Sequence, residues 1–187
     1  MHIGQVPSEV LLLLGGWVKV SATTPAGRTV LLALRGPGDL VGELSALDEE
    51  PRSASIVAIE PVQALVMTHD RFRALLRERP DTAVALMRVL SARLRDADAK
   101  RIQMATHTIV GRVAFCLLEL CERFGRHDHG AVEITLPLSQ EELASWAGAS
   151  LESVARALQQ MRSLGWIETR RRAIRVLDAE ALRGATS

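Results

Sequence analysis

An α+β fold in three parts is what this sequence predicts: a β-roll, a long helix, and a C-terminal pair of short helices followed by a hairpin. Three observations predict it. Up to about residue 68 the apolar runs are short and separated by Gly and Pro. From Asp81 the apolar spacing lengthens to three and four with no proline before Pro137. Beyond residue 130, two short segments that begin at serine and stop at glycine precede a basic hairpin. The corresponding divisions are residues 1–80, 81–124 and 125–187.

The first third reads as strand, turn, strand. LLLL, GG, WVKVS, TTPAGRT and VLLAL follow one another, with GPGD at 36–39 as another tight turn. SIVAIE and ALVMT continue the pattern on either side of Pro61. Short strands at regular intervals with such turn residues predict a roll or barrel. Met1 lies just before the first strand, so the roll is expected to be incomplete at its N-terminal side. HDRFRALLRERP then reads as a short helix ended by Pro80.

The next segment predicts one helix from Asp81 to about Phe124, with a break allowed near Gly111. Met87, Leu90, Leu94, Ala97, Met104 and Gly111 form a stripe of coiled-coil spacing, interrupted by Arg101 and Thr108. At about 1.5 Å per residue such a helix is roughly 60 Å long, more than a small domain covers. A second copy of the chain is the economical cover, so a homodimer is expected.

Composition sets the outer limits. The 187 residues are 48% hydrophobic and 24% charged with a net charge of +1, which is globular and not the signature of a basic tail. No run of about 18 uncharged apolar residues exists, so no membrane partner is expected. Cys116 and Cys121 fall on one helix about 140° apart, a poor disulfide and too few ligands for structural zinc. They read as buried small residues in a reducing cytoplasm. The histidines of GRHDHG, a predicted linker and turn, lack a third ligand. His69 and His107 are isolated, and no nucleophile stands beside a base, so an enzyme is not expected.

The C-terminal segment carries the chemistry. Ser139-Gln-Glu-Glu142 is a capping box, and the helix EELASWAG ends at Gly148. Ser150 caps a second helix, LESVARALQQMRSLG, which stops at Gly165. Two helices joined by a short glycine turn, with Leu143, Ala144, Val154 and Leu158 facing inward, form a helix-turn-helix. WIETRRRAIRVLD then reads as a hairpin wing. The second helix presents Leu151, Glu152, Ser153 and Arg156 in its first turn and a half, the part that meets base edges. Arg156 suits guanine O6 and N7, Glu152 a cytosine amino group, and Leu151 a thymine methyl. Ser139, Gln140, Ser150 and Ser153 suit phosphate, as do the wing arginines Arg170, Arg171, Arg172 and Arg175.

One stretch remains, GELSALDEEPRSAS at 42–55. It places Glu43 and Arg52 on a loop between strands, after Gly42. Two readings stand: a cradle for an anion, or a Glu43–Arg52 ion pair in a ligand-free roll.

GELSALDEEPRSAS resembles the phosphate-binding cassette of the catabolite activator (CRP/FNR) family of transcription factors. VGRVAFCLLEL resembles the helix entering that family's DNA-binding domain, and LSQEELASWAGASLESVARAL its winged helix-turn-helix. The resemblance spans nearly the whole chain. It implies a cyclic-nucleotide-binding β-roll, a long dimerisation helix and a DNA-binding head, with roughly the first few dozen residues of the roll absent. It further implies a sequence-specific regulator whose DNA affinity a small effector controls. The alternatives are an effector-independent regulator of the same fold, or a nucleotide sensor that does not bind DNA.

By resemblance, Gly42, Glu43, Leu44, Arg52 and Ser53 form the effector cassette. Arg52 and Ser53 meet phosphate, while Glu43 accepts from a ribose hydroxyl and orients Arg52. Arg93 matches a position that the family places near the pocket. Ala97 and Asp98 stand where nucleotide-responsive members offer hydroxyl or amide groups to the purine. Leu151 replaces an arginine frequent in activators. No resident cofactor is expected; the implied effector is a cyclic nucleotide, cAMP or cGMP. The implied partners are an operator duplex, a second copy of the chain and RNA polymerase.

Overall fold

The computed structural model describes residues 8–135, 138–170 and 173–186. They form two compact units, residues 1–96 and 97–187.

The first unit is a roll of two three-stranded antiparallel sheets. Strands β1 (Glu9–Gly15), β4 (Leu40–Val41) and β6 (Gln63–Thr68) make one sheet in the order β4-β1-β6. Strands β2 (Val18–Thr23), β3 (Thr29–Arg35) and β5 (Ser55–Ala58) make the other in the order β3-β2-β5. Leu12 pairs with Leu65, and Val20 pairs with Ile56. Part of the run of leucines in β1 has a structural reason, because one face of the strand lines the roll and the start of the other meets helices, while Leu14 is exposed. Leu11 and Leu13 point into the roll with Val18, Val41 and Ile56. Val10 points the other way, against Ala46, Phe72 and Leu86 of three helices. Gly16 turns the chain at φ +77°; a Cβ there would lie 2.2 Å from the carbonyl oxygen of Pro61, so no other residue fits.

Those three helices are α1 (Glu43–Asp48), α2 (His69–Glu78) and the start of α3 (Pro80–Thr106). Thr68 caps α2 by accepting from the amide of Arg71 at 3.3 Å. Pro80 ends nothing by itself: Arg79 closes α2, and Pro80 occupies the first turn of α3, where a missing N–H costs little.

The predicted single long helix is two helices. The chain leaves α3 after Thr106, and α4 runs Ile109–Phe124. Thr108 is the cause: extended at ψ 164°, it accepts from the amide of Gly111 at 3.1 Å and caps the new helix. On α3, Met87 is 57% exposed and Leu94 64% within one chain. Val84 and Ile102 are exposed beside them. Met87, Leu94 and Met104 of the predicted stripe are therefore open apolar surface on α3, whereas Leu90 packs against the core of the roll and Gly111 belongs to α4.

In the second unit, Val113, Ala114, Cys116, Leu117 and Leu120 of α4 are buried. A four-stranded antiparallel sheet has the order β7-β8-β10-β9, with β7 Gly125–Asp128, β8 Ala131–Thr135, β9 Ile167–Arg170 and β10 Ala173–Val176. The expected linker GRHDHG is mostly strand: Gly125–Asp128 pairs with β8, and the turn shrinks to His129 at φ 45° and Gly130 at φ 81°. Positive φ at both central residues is the two-residue hairpin turn whose twist matches its strands. Helices α5 (Gln140–Trp146) and α6 (Leu151–Ser163) pack on α4, and a final helix, α7 (Ala179–Ala185), does so as well. Asp178 caps α7 by accepting from the amide of Ala181 at 2.8 Å. No helix among the described residues is long and apolar enough to cross a membrane.

Candidate nucleic-acid interface and anion cassette

The helix pair forms as the serine and glycine positions dictate. Ser139 accepts from the amide of Glu142 at 3.1 Å, and the Glu142 carboxylate accepts from the Ser139 amide at 2.8 Å. Gly148, at φ +61°, supplies the left-handed residue between α5 and α6. Ser150 accepts from the amide of Ser153 at 3.2 Å and donates to the Ser153 hydroxyl at 2.9 Å. The inner face of α6 buries Val154, Ala157, Leu158 and Met161. Its outer face is open at the N-terminal end, where Leu151 is 44% exposed.

Arg156 and Glu152 lie together on that face. Arg156 Nη1 donates to Glu152 Oε1 at 2.9 Å, and Nη2 reaches the Ser153 hydroxyl at 3.4 Å. This pair spans one helical turn on the exposed surface. Ser139 and Gln140 are exposed at the start of α5. Ser139 and Ser150 thus spend their hydroxyls on caps and Ser153 accepts from Ser150, yet each Ser retains its position at a helix N-terminus, where amides face outward.

The wing is less uniform than its sequence. Arg170 is exposed and 3.4 Å from Glu168. Arg175 is half-buried and donates to Asp128 at 3.3 Å, with Glu168 at 3.9 Å. Its charge is used inside the unit, so it is not the free phosphate contact that the run of arginines suggested. Arg171 and Arg172 lie outside the described residues. Arg162, which the sequence did not single out, donates to the Thr169 hydroxyl at 3.0 Å and ties α6 to β9.

In the roll, Gly42 sits at φ 85° and launches α1, a helix of six residues. Glu43 is buried, and its partner is Arg93, not Arg52: Arg93 Nη1 donates to Glu43 Oε1 at 2.7 Å. Arg93 Nη2 also donates to Asp39 at 3.1 Å and to the Leu40 carbonyl at 2.8 Å. Arg52 is 6% exposed, and its Nη2 donates to the Glu9 carbonyl at 2.9 Å. Burial pushes the Arg52 guanidinium below its ordinary value, and the charge of Glu9 opposes that. Ser53 and Leu44 are exposed. The structure thus brings Gly42, Glu43 and Arg93 together and anchors Arg52 by a separate contact. Asp98, in the second unit, is exposed and 4.0 Å from Arg101.

Sequence reasoning missed Asp39 and the Glu9 carbonyl. Asp39 was visible as the acid of the GPGD turn, and it closes that turn by accepting from the Gly36 amide at 3.0 Å. The two cysteines are buried and half-buried thiols. Burial pushes Cys116 up to about 12 and Cys121 up to about 11.

Comparison with known proteins accounts for both regions. A cyclic nucleotide-binding domain model matches residues 1–79, and a Crp-like helix-turn-helix domain model matches residues 111–185. A CRP-like cAMP-activated global transcriptional regulator of Mycobacterium tuberculosis is 37% identical over 179 residues, covering 96% of this chain and 80% of that one. A cyclic AMP receptor protein of Thermus thermophilus is 34% identical over the same span, covering 96% and 80%. The crystal structure of a CRP-family transcriptional regulator, also from Thermus thermophilus, superposes with a TM-score of 0.85 at 26% identity, over 99% of this chain and 91% of that one.

Proposed function

This chain belongs to the CRP/FNR family of transcriptional regulators, and we propose on that premise that it reads a duplex operator under the control of a cyclic nucleotide held in its roll. It is a regulator and not an enzyme. The observation that carries the DNA reading is the open N-terminal end of α6, with Leu151, Glu152 and Arg156 exposed on a helix whose opposite face is buried. Arg156 meets a guanine, Glu152 a cytosine amino group and Leu151 a thymine methyl. Ser139, Gln140, Ser150 and Ser153, together with Arg170 and Arg172 of the wing, hold phosphates and set the register.

The open face of α3 supports a homodimer, since a contiguous apolar stripe on a helix is stable in water only when covered. Two heads then span half-sites about one helical turn apart, roughly 34 Å. The dimer acts in the cytoplasm, where RNA polymerase is its further partner.

The effector enters through the cassette. A cyclic nucleotide phosphate draws Arg52 away from the Glu9 carbonyl and takes its fork, with Ser53 and the amides after Gly42 completing the cradle. The ribose hydroxyl competes with Arg93 for Glu43. Binding then shifts the population toward the DNA-competent dimer. A specific observation favours a second reading. Glu43 and Arg52 already have internal partners, as an effector-independent regulator requires. Isothermal titration with cAMP and cGMP, paired with gel shifts in the presence and absence of each, separates the two. Heat released by one nucleotide, with a shift that depends on it, supports effector control. Silence in titration with an unchanged shift leaves the effector-independent regulator.

A further inference from the structure

The second unit holds a small hollow that DNA reading does not use. Lys100, Met104, Arg112, Phe115, Cys116 and Trp146 line it. Lysine is rare in this chain: Lys19 and Lys100 are the only two among 23 Lys and Arg residues. Lys100 is half-buried, with its Nζ 5.4 Å from the centroid of the Trp146 ring. Among the described residues no carboxylate forms an ion pair with it; Glu119, the nearest acid by charge, is 2.8 Å from Arg123. Burial holds the ammonium of Lys100 below its ordinary value, against a weaker pull from Cys116 and Glu119.

Arg112 is the second cation of the hollow. Its Nη1 reaches the Met104 carbonyl at 3.5 Å, and its Nε is buried with no partner among the described residues. A buried N–H without an acceptor is costly and marks a place where an acceptor belongs. Cys116 does not supply the negative charge, because burial keeps it a thiol up to about pH 12. Two positive groups therefore line one largely apolar hollow, and no anion among the described residues answers them.

We propose that Lys100 is an acceptor for carbon dioxide, forming a carbamate that Arg112 holds. The neutral ε-amine attacks the carbon of CO2; an N–C bond forms, one C=O electron pair moves onto oxygen, and a proton leaves the nitrogen for solvent. The product is an N-carboxylated lysine with one negative charge, and nothing is oxidised or reduced. Each requirement is met locally. A desolvated amine is more often neutral. A linear molecule of three atoms suits a hollow of this size. The unpartnered N–H of Arg112 gives the new carboxylate a charge-assisted bond. The change replaces a cation over Trp146 with an anion facing Arg112. It lies beside the helix-turn-helix, since a Cβ on Gly148 would stand 3.1 Å from Met104 Cε and 3.8 Å from Arg112 Nη1.

The test uses the whole chain in mildly alkaline buffer with carbon-13-labelled carbon dioxide. Nuclear magnetic resonance reads the carbamate carbon, and trapping with triethyloxonium followed by peptide mass spectrometry locates it. The expected result is an adduct on Lys100 and not on Lys19. It should vanish in Lys100→Arg, which keeps the charge over Trp146, and fall about tenfold in Arg112→Met. Arg112→Lys, with folding checked by circular dichroism, replaces the methionine variant if that one does not fold. No adduct under saturating carbon dioxide overturns the proposal. So do an adduct confined to Lys19, one undiminished without Arg112, and bicarbonate held without a covalent bond.

Discussion

The cassette of the roll and the helix-turn-helix are both polar sites, yet they are built in opposite ways. In the helix-turn-helix the caps and the exposed ion pair are local: Ser139 with Glu142, Ser150 with Ser153, Arg156 with Glu152. Its charged groups stand in solvent, ready for a partner. In the cassette the supporting bonds cross the fold. Arg93 holds Glu43 from 50 residues away, and Arg52 reaches a carbonyl 43 residues distant. Glu43 and Arg52 are buried and already have partners. A local exposed site is ready to bind at little cost, whereas a distant buried one must first release its own partners. That difference suits a reader of DNA joined to a controller.

The comparison breaks most easily at Arg93. The side chains of Glu43 and Arg93 are 6% and 18% exposed, so removing one leaves a charge stranded. Arg93→Met should destabilise the first unit by about 3–5 kcal/mol in urea unfolding, with Glu43→Gln added to it restoring part of the loss. An unchanged midpoint would mean that Glu43 is solvated and the contrast false.

Arg52→Ala comes next. Losing one or two charge-assisted bonds of about 1.5–3 kcal/mol each should weaken cyclic nucleotide binding at least about tenfold. DNA binding should lose its response to the effector while the dimer persists in size-exclusion chromatography. Arg156→Ala tests the exposed site. It should cost about 1–3 kcal/mol of discrimination at a single base pair, read by competition with operators varied there, and leave unfolding unaltered. Ser139→Ala is the mildest: about 1 kcal/mol of stability in the second unit, since one cap is lost from a short helix.

The same contrast explains what the sequence made legible. Caps and glycine turns are relations of three or four residues, so α5, the turn at Gly148 and α6 are readable with their ends. The break before α4 is readable in the same terms, because Thr108 precedes Gly111 by the capping interval. The same threonine, however, also reads as a flaw in an apolar stripe. The strand Gly125–Asp128 is hidden because Gly, Arg, His and Asp have poor strand propensity, and pairing with β8 overrides that. The pairing of Glu43 with Arg93 is out of reach. Sequence shows two charges in one loop, but which cation meets the buried carboxylate depends on how α3 passes the roll. Arg175 misleads for a related reason, since its position in a basic run says nothing of Asp128 on a neighbouring strand.

Selection of genomic fragments by the purified chain at low ionic strength, followed by fluorescence anisotropy across a salt series, tests the central claim most directly. The account predicts that fragments with two half-sites about one helical turn apart are retained, and that their affinity falls steeply with salt. A folded dimer that retains no duplex under those conditions would contradict it.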